Sequence, residues 1–353
     1  MAEHAGWPEP AERTGRVTLA LGDAARKVVR NLSAGTRIDD SLFVAADEYG
    51  TISRLTPTGD GGWGARTDFA LCDLLPLRDA KAEIDLEGLA ADDGWLWAVG
   101  SHARTRAKPE KSGDRIDLHE LAELRDTRAR CLVARFPLVR GERGWTPVAR
   151  DGDRRAGMLR QRGRGNALSR ALRHDPLLRP FTRIPAKEGG VDIEGIAAAG
   201  SRIALGMRGP VVGGHALLLE TTVAFRPSGR IRLARPPVTR LLAIEGLGIR
   251  DLKRCGDDLL ILAGPTTALS GPCALYRWRD WAQQPPGHDR EVRLHRPERI
   301  VELPFGRGTD HPEGLALWED ADGAAQVLVI CDSPAEDRIA DDGSIAADLF
   351  RLP

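Results

Sequence analysis

A β-propeller is the fold this sequence predicts. One Glu-Gly motif returns four times, a short apolar run follows each return, and turn residues separate the runs. The motif stands as Asp85-Leu86-Glu87-Gly88-Leu89-Ala90, Asp192-Ile193-Glu194-Gly195-Ile196-Ala197, Ala243-Ile244-Glu245-Gly246-Leu247-Gly248 and His311-Pro312-Glu313-Gly314-Leu315-Ala316. Self-similarity at a blade-sized spacing is the mark of a repeat architecture. The apolar runs are Trp95 to Val99, Arg202 to Leu205, Leu259 to Ala263 and Val327 to Ile330. A fifth run, Ser41 to Ala46, has no Glu-Gly prefix. Runs this short, bounded by Gly and Asp, are strands rather than helices. A β-sandwich of equal strand count would not require the same Glu-Gly signature in successive units.

The elements follow in order. Turns come from Asp92-Asp93-Gly94 and Gly256-Asp257-Asp258. Further strands are expected at Cys131 to Phe136, Ala216 to Phe225, Ala274 to Trp278 and Leu349 to Leu352, with outer strands at Thr146 to Ala149, Ile231 to Ala234 and Arg299 to Leu303. Glu194, Glu245 and Glu313 are spaced as blades should be, whereas the gap from Glu87 to Glu194 is too long for one blade. Two polar stretches in that gap, about 105–130 and 151–185, read as insertions, with short helices at Leu118 to Leu124 and Ala167 to Arg173. Residues 1–353 thus form one propeller domain, five-bladed, or six-bladed if the insertions hide a blade. The strand Arg16 to Leu21 is expected beside Leu349 to Leu352, closing the ring without a free edge.

Composition sets bounds on function. The chain has 353 residues, 42% hydrophobic and 29% charged, with 51 basic and 51 acidic side chains. That balance points to neither a nucleic-acid nor a membrane partner. The N-terminus has no basic-then-apolar leader and the chain no 18-residue apolar stretch, so a soluble cytoplasmic protein is expected. Cys72, Cys131, Cys255, Cys273 and Cys331 are scattered without C-x-x-C spacing, as expected of reduced, mostly buried thiols. There is no G-x-S-x-G elbow, P-loop or H-E-x-x-H motif.

The chemistry is expected at one mouth of the central channel. If each Glu-Gly unit opens an inner strand and the apolar run returns beside it, strand starts and partner ends share one face. Glu87 then lies near His102 and Arg104, Glu194 near Arg208, Glu245 near Pro265 and Thr266, and Glu313 near Asp332. Arg250 and His311 are expected at the same end, with Asp47 and Glu48 closing the Ser41 to Ala46 run. Crowded carboxylates need a cation or arginines to neutralise them. Calcium suits such an oxygen-rich ring of Glu87, Glu194, Glu245, Glu313, Asp47 and Glu48 better than zinc does. Arginines beside it can bind an anionic small molecule bidentately. The structural alternative is that the glutamates tie blades together and that the glycines serve close backbone approach at the axis. Replacement of Arg208 by Ala is expected to remove ligand binding and leave the melting temperature within a few degrees.

At these motifs the sequence resembles a bacterial family, the domain of unknown function numbered 3616. The pieces are Asp47-Glu48, Glu87-Gly88-Leu89, Gly100-Ser101-His102, Asp192-Ile193-Glu194-Gly195 and Arg208-Gly209-Pro210-Val211. They continue with Gly248-Ile249-Arg250-Asp251-Leu252, His311-Pro312-Glu313-Gly314 and Asp332-Ser333-Pro334. The family name implies a fold and no reaction. The Glu-Gly-Leu units are also similar to phytase-like and esterase-like propellers. More distantly they resemble metal-dependent lactonase propellers, in which a strand-start Glu holds the metal. Where that lactonase pattern wants Asn and Asp, this chain has Arg208 and Pro265. The function expected is a propeller binding a small anionic ligand at its mouth, with calcium-dependent hydrolysis of a phosphoester or lactone as its enzymatic form. The rival is a non-catalytic scaffold holding a protein partner through its upper loops.

Overall fold

The computed structural model describes residues 7–22, 28–46, 50–59, 61–79, 82–106, 111–112, 115–125, 128–267, 269–285, 292–305 and 310–353. The fold is the expected all-β propeller. Its strands group into antiparallel four-stranded units, numbered here in chain order. Unit 1 comprises Leu32–Ile38, Ser41–Ala46, Thr51–Pro57 and Trp63–Ala70. Unit 2 comprises Leu86–Asp92, Trp95–Gly100, Val133–Gly141 and Gly144–Pro147. Unit 3 comprises Asp192–Ala199, Arg202–Gly209, Ala216–Phe225 and Val238–Leu242. Unit 4 comprises Gly248–Cys255, Asp258–Gly264, Cys273–Trp278 and Glu298–Leu303. Unit 5 comprises His311–Glu319, Ala325–Asp332 and Ile345–Arg351, completed by the N-terminal Gly15–Leu19.

That N-terminal strand pairs antiparallel with Ile345–Arg351, from Gly15 opposite Leu349 to Leu19 opposite Ile345. The two ends of the chain thus share one sheet, which removes a free edge. Burial explains the closed arrangement. The second strand of each unit is apolar on both faces, as Ser41–Ala46 and Leu259 to Ala263 show, because a neighbouring unit covers each side. Each apolar cluster accordingly lies between two adjacent units. Leu89 and Leu96 pack on Phe43 and Ile52, Trp97 and Val99 on Ile193 and Leu205, and Ala204 on Ile249 and Leu252. Leu260 and Leu262 pack on Leu315 and Val327, and Leu328 and Ile330 return to Leu42 and Val44.

The turn at Asp93 and Gly94 has φ of +45° and +72°, the left-handed pair that a two-residue hairpin needs. One expectation is corrected. The outer strand of unit 3 is Val238–Leu242, not Ile231 to Ala234. Ala216–Phe225 outruns its partners, so its first half pairs with Val238–Leu242 and its tail with the short Ile231–Leu233. The inner strand of unit 1, Leu32–Ile38, carries no Glu-Gly signal. The segment 101–132 holds a strand pair and a helix at Leu118–Ala122, and the segment 148–191 holds a helix at Ala167–His174. This second helix starts with a capping box, Asn166 to Ser169, and stops ahead of Pro176. Among the described residues no helix is long and apolar enough to cross a membrane.

Candidate functional site

One residue of every inner strand is left out of the pairing ladder as a β-bulge. These residues are Ser33, Glu87, Glu194, Arg250 and Glu313. A bulge frees a side chain from the alternation of the strand and re-aims it. Arg208, on the second strand of unit 3, is skipped in the same way. The next residue is Gly88, Gly195 or Gly314 in units 2, 3 and 5. A Cβ there would stand 3.0 Å from Glu194 O, 2.8 Å from Leu252 N or 3.2 Å from Gly35 N. These glycines let adjacent inner strands abut at the axis, as the sequence suggested.

Unit 4 corrects the repeat. Its bulged residue is Arg250, so Ile249-Arg250-Asp251-Leu252 is the counterpart of Ile193-Glu194-Gly195-Ile196. Glu245 lies in the crossover between units 3 and 4, half-exposed at φ +53°, paired with Tyr276 and with Arg299 at 3.4 Å. It belongs to no carboxylate ring with the other three glutamates, because its Glu-Gly pair precedes the strand instead of opening it. Asp47 and Glu48 lie outside the described residues.

The bulged side chains of units 2 to 5 converge. Glu87, Asp192 and Glu194 place carboxylate oxygens within 4.8 Å of one another. Arg208 pairs with Asp192 and lies 2.9 Å from Glu194 Oε1. Arg250 Nε stands 3.1 Å from Glu194 Oε2, and its other nitrogen pairs with Glu313. Asp332 sits opposite His311 in the ladder of unit 5, on the Arg250 side. Asp85 adds a further carboxylate, 2.5 Å from Arg130. Glu87, Glu194, Arg208, Arg250, Glu313, His311 and Asp332 thus gather at one mouth, as expected. Asp192, Asp85 and Arg130 were missed. The shared Asp-x-Glu of Asp85-Leu86-Glu87 and Asp192-Ile193-Glu194 would have found the first two.

Below the mouth the axis is filled. Asp251 accepts from Leu252 N and from Leu315 N of unit 5, both at 2.7 Å, and pairs with Lys253 at 2.5 Å. Lys253 Nζ reaches across to Leu89 O of unit 2 at 3.0 Å. The buried pair ties three units together at the centre.

Electrostatics divide the cluster into roles. Burial pushes the Glu194 carboxyl from 4.5 up to about 7, against the pull of Arg208 and Arg250. Glu194 Oε2 is buried and accepts no hydrogen bond among the described residues; its contact with Arg250 is ionic only. Burial likewise raises Asp85 to about 6, with Arg130 opposing, and raises Asp332. Burial disfavours the charge on Arg208, but Asp192, Glu194 and Glu87 outweigh it and hold the guanidinium above its ordinary value.

This donor set does not favour calcium. The ion seeks about six to eight oxygens, whereas Asp192 and Glu194 already face the guanidiniums of Arg208 and Arg250. For the same reason Arg208 and Arg250 are spent on carboxylates and are not free to clamp an anion.

His102 and Arg104 lie beside this cluster. His102, at φ +55°, has Nδ1 2.9 Å from Gly100 O, and its Nε2 lies 3.1 Å from Asn166 Nδ2. Burial lowers its pKa to about 4, so the ring is neutral and latches the strand end of unit 2 to the cap of the Ala167–His174 helix. With both nitrogens hydrogen-bonded, the ring is held in place and forms part of a wall. Arg104 lines a cleft next to it.

No curated protein matches the chain. Among solved structures, glutaminyl cyclase from Myxococcus xanthus is similar at 12% identity and a TM-score of 0.43, covering 98% of this chain and 100% of that one. The catalytic domain of the GH62 α-L-arabinofuranosidase of Coprinopsis cinerea is similar at 12% identity and a TM-score of 0.42, covering 97% of each chain. Likenesses this distant say nothing of the site. The direct match is in sequence: residues 31–348 fit the family described as a protein of unknown function, DUF3616, a span that runs from the first inner strand to the closing one and takes in every bulged residue at the mouth, so the chain belongs to that family.

Proposed function

We propose that the channel mouth is the acid–base centre of a small-molecule hydrolase acting on an ester bond, a phosphoester or a lactone. The observation that carries this reading is Glu194: buried, with burial raising its carboxyl to about 7, one oxygen lacking a hydrogen bond, and Glu87 close by on the half-exposed side. A carboxyl whose proton affinity is raised by burial can serve as an acid beside a second carboxyl that serves as a base. Glu87 would take a proton from the attacking water, and Glu194 would give its proton to the leaving oxygen. Arg208 and Arg250, paired with the carboxylates, would hold the geometry. A reducing, cytoplasmic setting suits the five free cysteines.

The test is turnover of aryl phosphate esters and γ-lactones by the purified chain. Glu87→Gln and Glu194→Gln should each lower kcat by about 100-fold or more. Unchanged kcat in both variants, or no turnover of either class, would refute the assignment. One observation favours a scaffold instead: on the first inserted segment Leu118 is 76% exposed, with Ile116 and Leu124 also at the surface. A partner held there would be lost on Leu118→Asp.

A further inference from the structure

Beside the carboxylate mouth lies a second hollow of about 430 Å³, in the size range of small-ligand sites. Its floor is His102 and Cys131, and Val191, the residue before Asp192, forms part of its wall. Four arginines line it, and they come from separate parts of the chain. Arg104 follows the second strand of unit 2, and Arg125 lies in the first inserted segment, past the Leu118–Ala122 helix. Arg164 sits in a turn of the second segment, and Arg173 is on the Ala167–His174 helix. The lining contains no carboxylate.

Several arginines elsewhere in this protein face acidic partners, among them Arg106, Arg130, Arg208, Arg240, Arg250 and Arg338. Arg104, Arg125, Arg164 and Arg173 have no ion pair among the described residues. Like charges gathered in one concave site repel one another unless a counter-charge is bound. Leu124, Leu172 and Ile184 complete the wall, and apolar walls strengthen a charge contact by lowering the local dielectric. The hydroxyls are engaged elsewhere, Thr182 donating to Arg179 O at 2.9 Å and Ser169 bound within the helix cap. The neutral, doubly hydrogen-bonded His102 makes the floor rigid and leaves recognition to the guanidiniums.

We propose that this cleft is a phosphate-binding site, in which Arg104, Arg125, Arg164 and Arg173 surround the phosphoryl group of a small molecule. Guanidinium forks match phosphate oxygens bidentately, and four of them suit a multiply charged tetrahedral anion better than a single carboxylate. The site is distinct from the acid–base mouth, and its test reads binding rather than turnover, so either assignment can fail without the other.

The experiment is calorimetric titration of the full chain with inorganic phosphate, pyrophosphate, glycerol phosphate and citrate at 150 mM salt. Phosphate or pyrophosphate should bind at one site, and Arg104→Gln and Arg173→Gln should each weaken binding by about tenfold. Arg170→Gln, on the same helix but outside this lining, should change it less than twofold. Tighter binding of glycerol phosphate than of phosphate would support the site and identify an organic monophosphate as its ligand; equal affinity would support it for the free ion. Citrate binding as tightly as the phosphates would overturn the proposal. So would no binding of any phosphate at 10 mM, or equal loss in Arg104→Gln and Arg170→Gln. Arg104→Gln and Arg173→Gln proteins must melt with the wild type, and if one does not, Arg164→Gln serves in its place with the same criterion.

Discussion

Replacing Arg208 by Met removes a guanidinium that touches both Asp192 and Glu194. The side chain is only 15% exposed and both carboxylates 3%, so water cannot take its place. Arg250 still stands 3.1 Å from Glu194, but Asp192 has no other ion pair among the described residues. Breaking a buried pair by removing one partner costs about 3–5 kcal/mol. A stripped carboxylate can take a proton instead, at about 1.4 kcal/mol for each pH unit above an ordinary value of roughly 4. That route caps the loss at about 1.5 kcal/mol at pH 5 and leaves the full cost at pH 8. At roughly 2 °C per kcal/mol for a chain of this size, Arg208→Met should melt about 6–10 °C below wild type at pH 8 and about 3 °C below it at pH 5. Differential scanning calorimetry at both pH values reads the two gaps. A gap under about 2 °C at pH 8, or equal gaps at both, would refute the buried-pair reasoning. The sequence alone suggested that Arg208 could be lost with little effect on stability. The geometry reverses that, because the guanidinium is packed between carboxylates rather than open to the channel.

Two further outcomes follow from the same geometry. Gly195→Ala would put a Cβ 2.8 Å from the Leu252 backbone and should cost about 1–3 kcal/mol, whereas Gly59→Ala, with nothing within 4 Å, should stay within about 0.5 kcal/mol. Equal urea midpoints for the two variants would show that inner strands do not abut at the axis. Glu194 has its folded-state value raised from 4.5 to about 7, so the stability it contributes is full below about pH 4.5 and is lost as pH rises through about 7. Glu194→Gln should therefore flatten the fall in stability between pH 5 and 8, by up to about 3 kcal/mol relative to wild type. A parallel pH profile in the variant would show that Glu194 ionises normally.

The cluster carries its own neutralising charge. Glu87, Asp192, Glu194 and Glu313 come from three units; Arg208 comes from one of the same units and Arg250 from a fourth. Such charges can be buried only if every unit is in place, since unpaired buried charge is strongly disfavoured. The site and the closure of the ring are therefore one event energetically. The left-handed backbone of Asp85, His102 and Ser333, at φ of +59°, +55° and +47°, falls at the same mouth. Conformations of this kind persist where surrounding structure enforces them and are common around functional sites.

The sequence by itself determined the apolar second strands, several turns and the end of the sheet at which the motif glutamates of units 2, 3 and 5 lie. Apolar runs such as Ser41–Ala46 and Leu259 to Ala263 can be satisfied only between two neighbouring sheets, and Asp93-Gly94 leaves the chain few ways to turn. The glutamate at the start of an inner strand put Glu87, Glu194 and Glu313 at a common end, and strand antiparallelism put Arg208 and Asp332 with them. Tertiary structure alone decided the register and the pairing. A one-residue bulge is invisible to a motif that tolerates it, so Glu245 matched the repeat in letters while Arg250 occupied its place in space. Asp251 stands where three other units have glycine, because its carboxylate caps Leu252 and Leu315 and holds Lys253 across the axis. The four arginines of the cleft are up to 69 positions apart, Arg104 to Arg173. Only the folding of two inserted segments beside the mouth brings them to one hollow, since nothing local in the chain records a contact between distant loops.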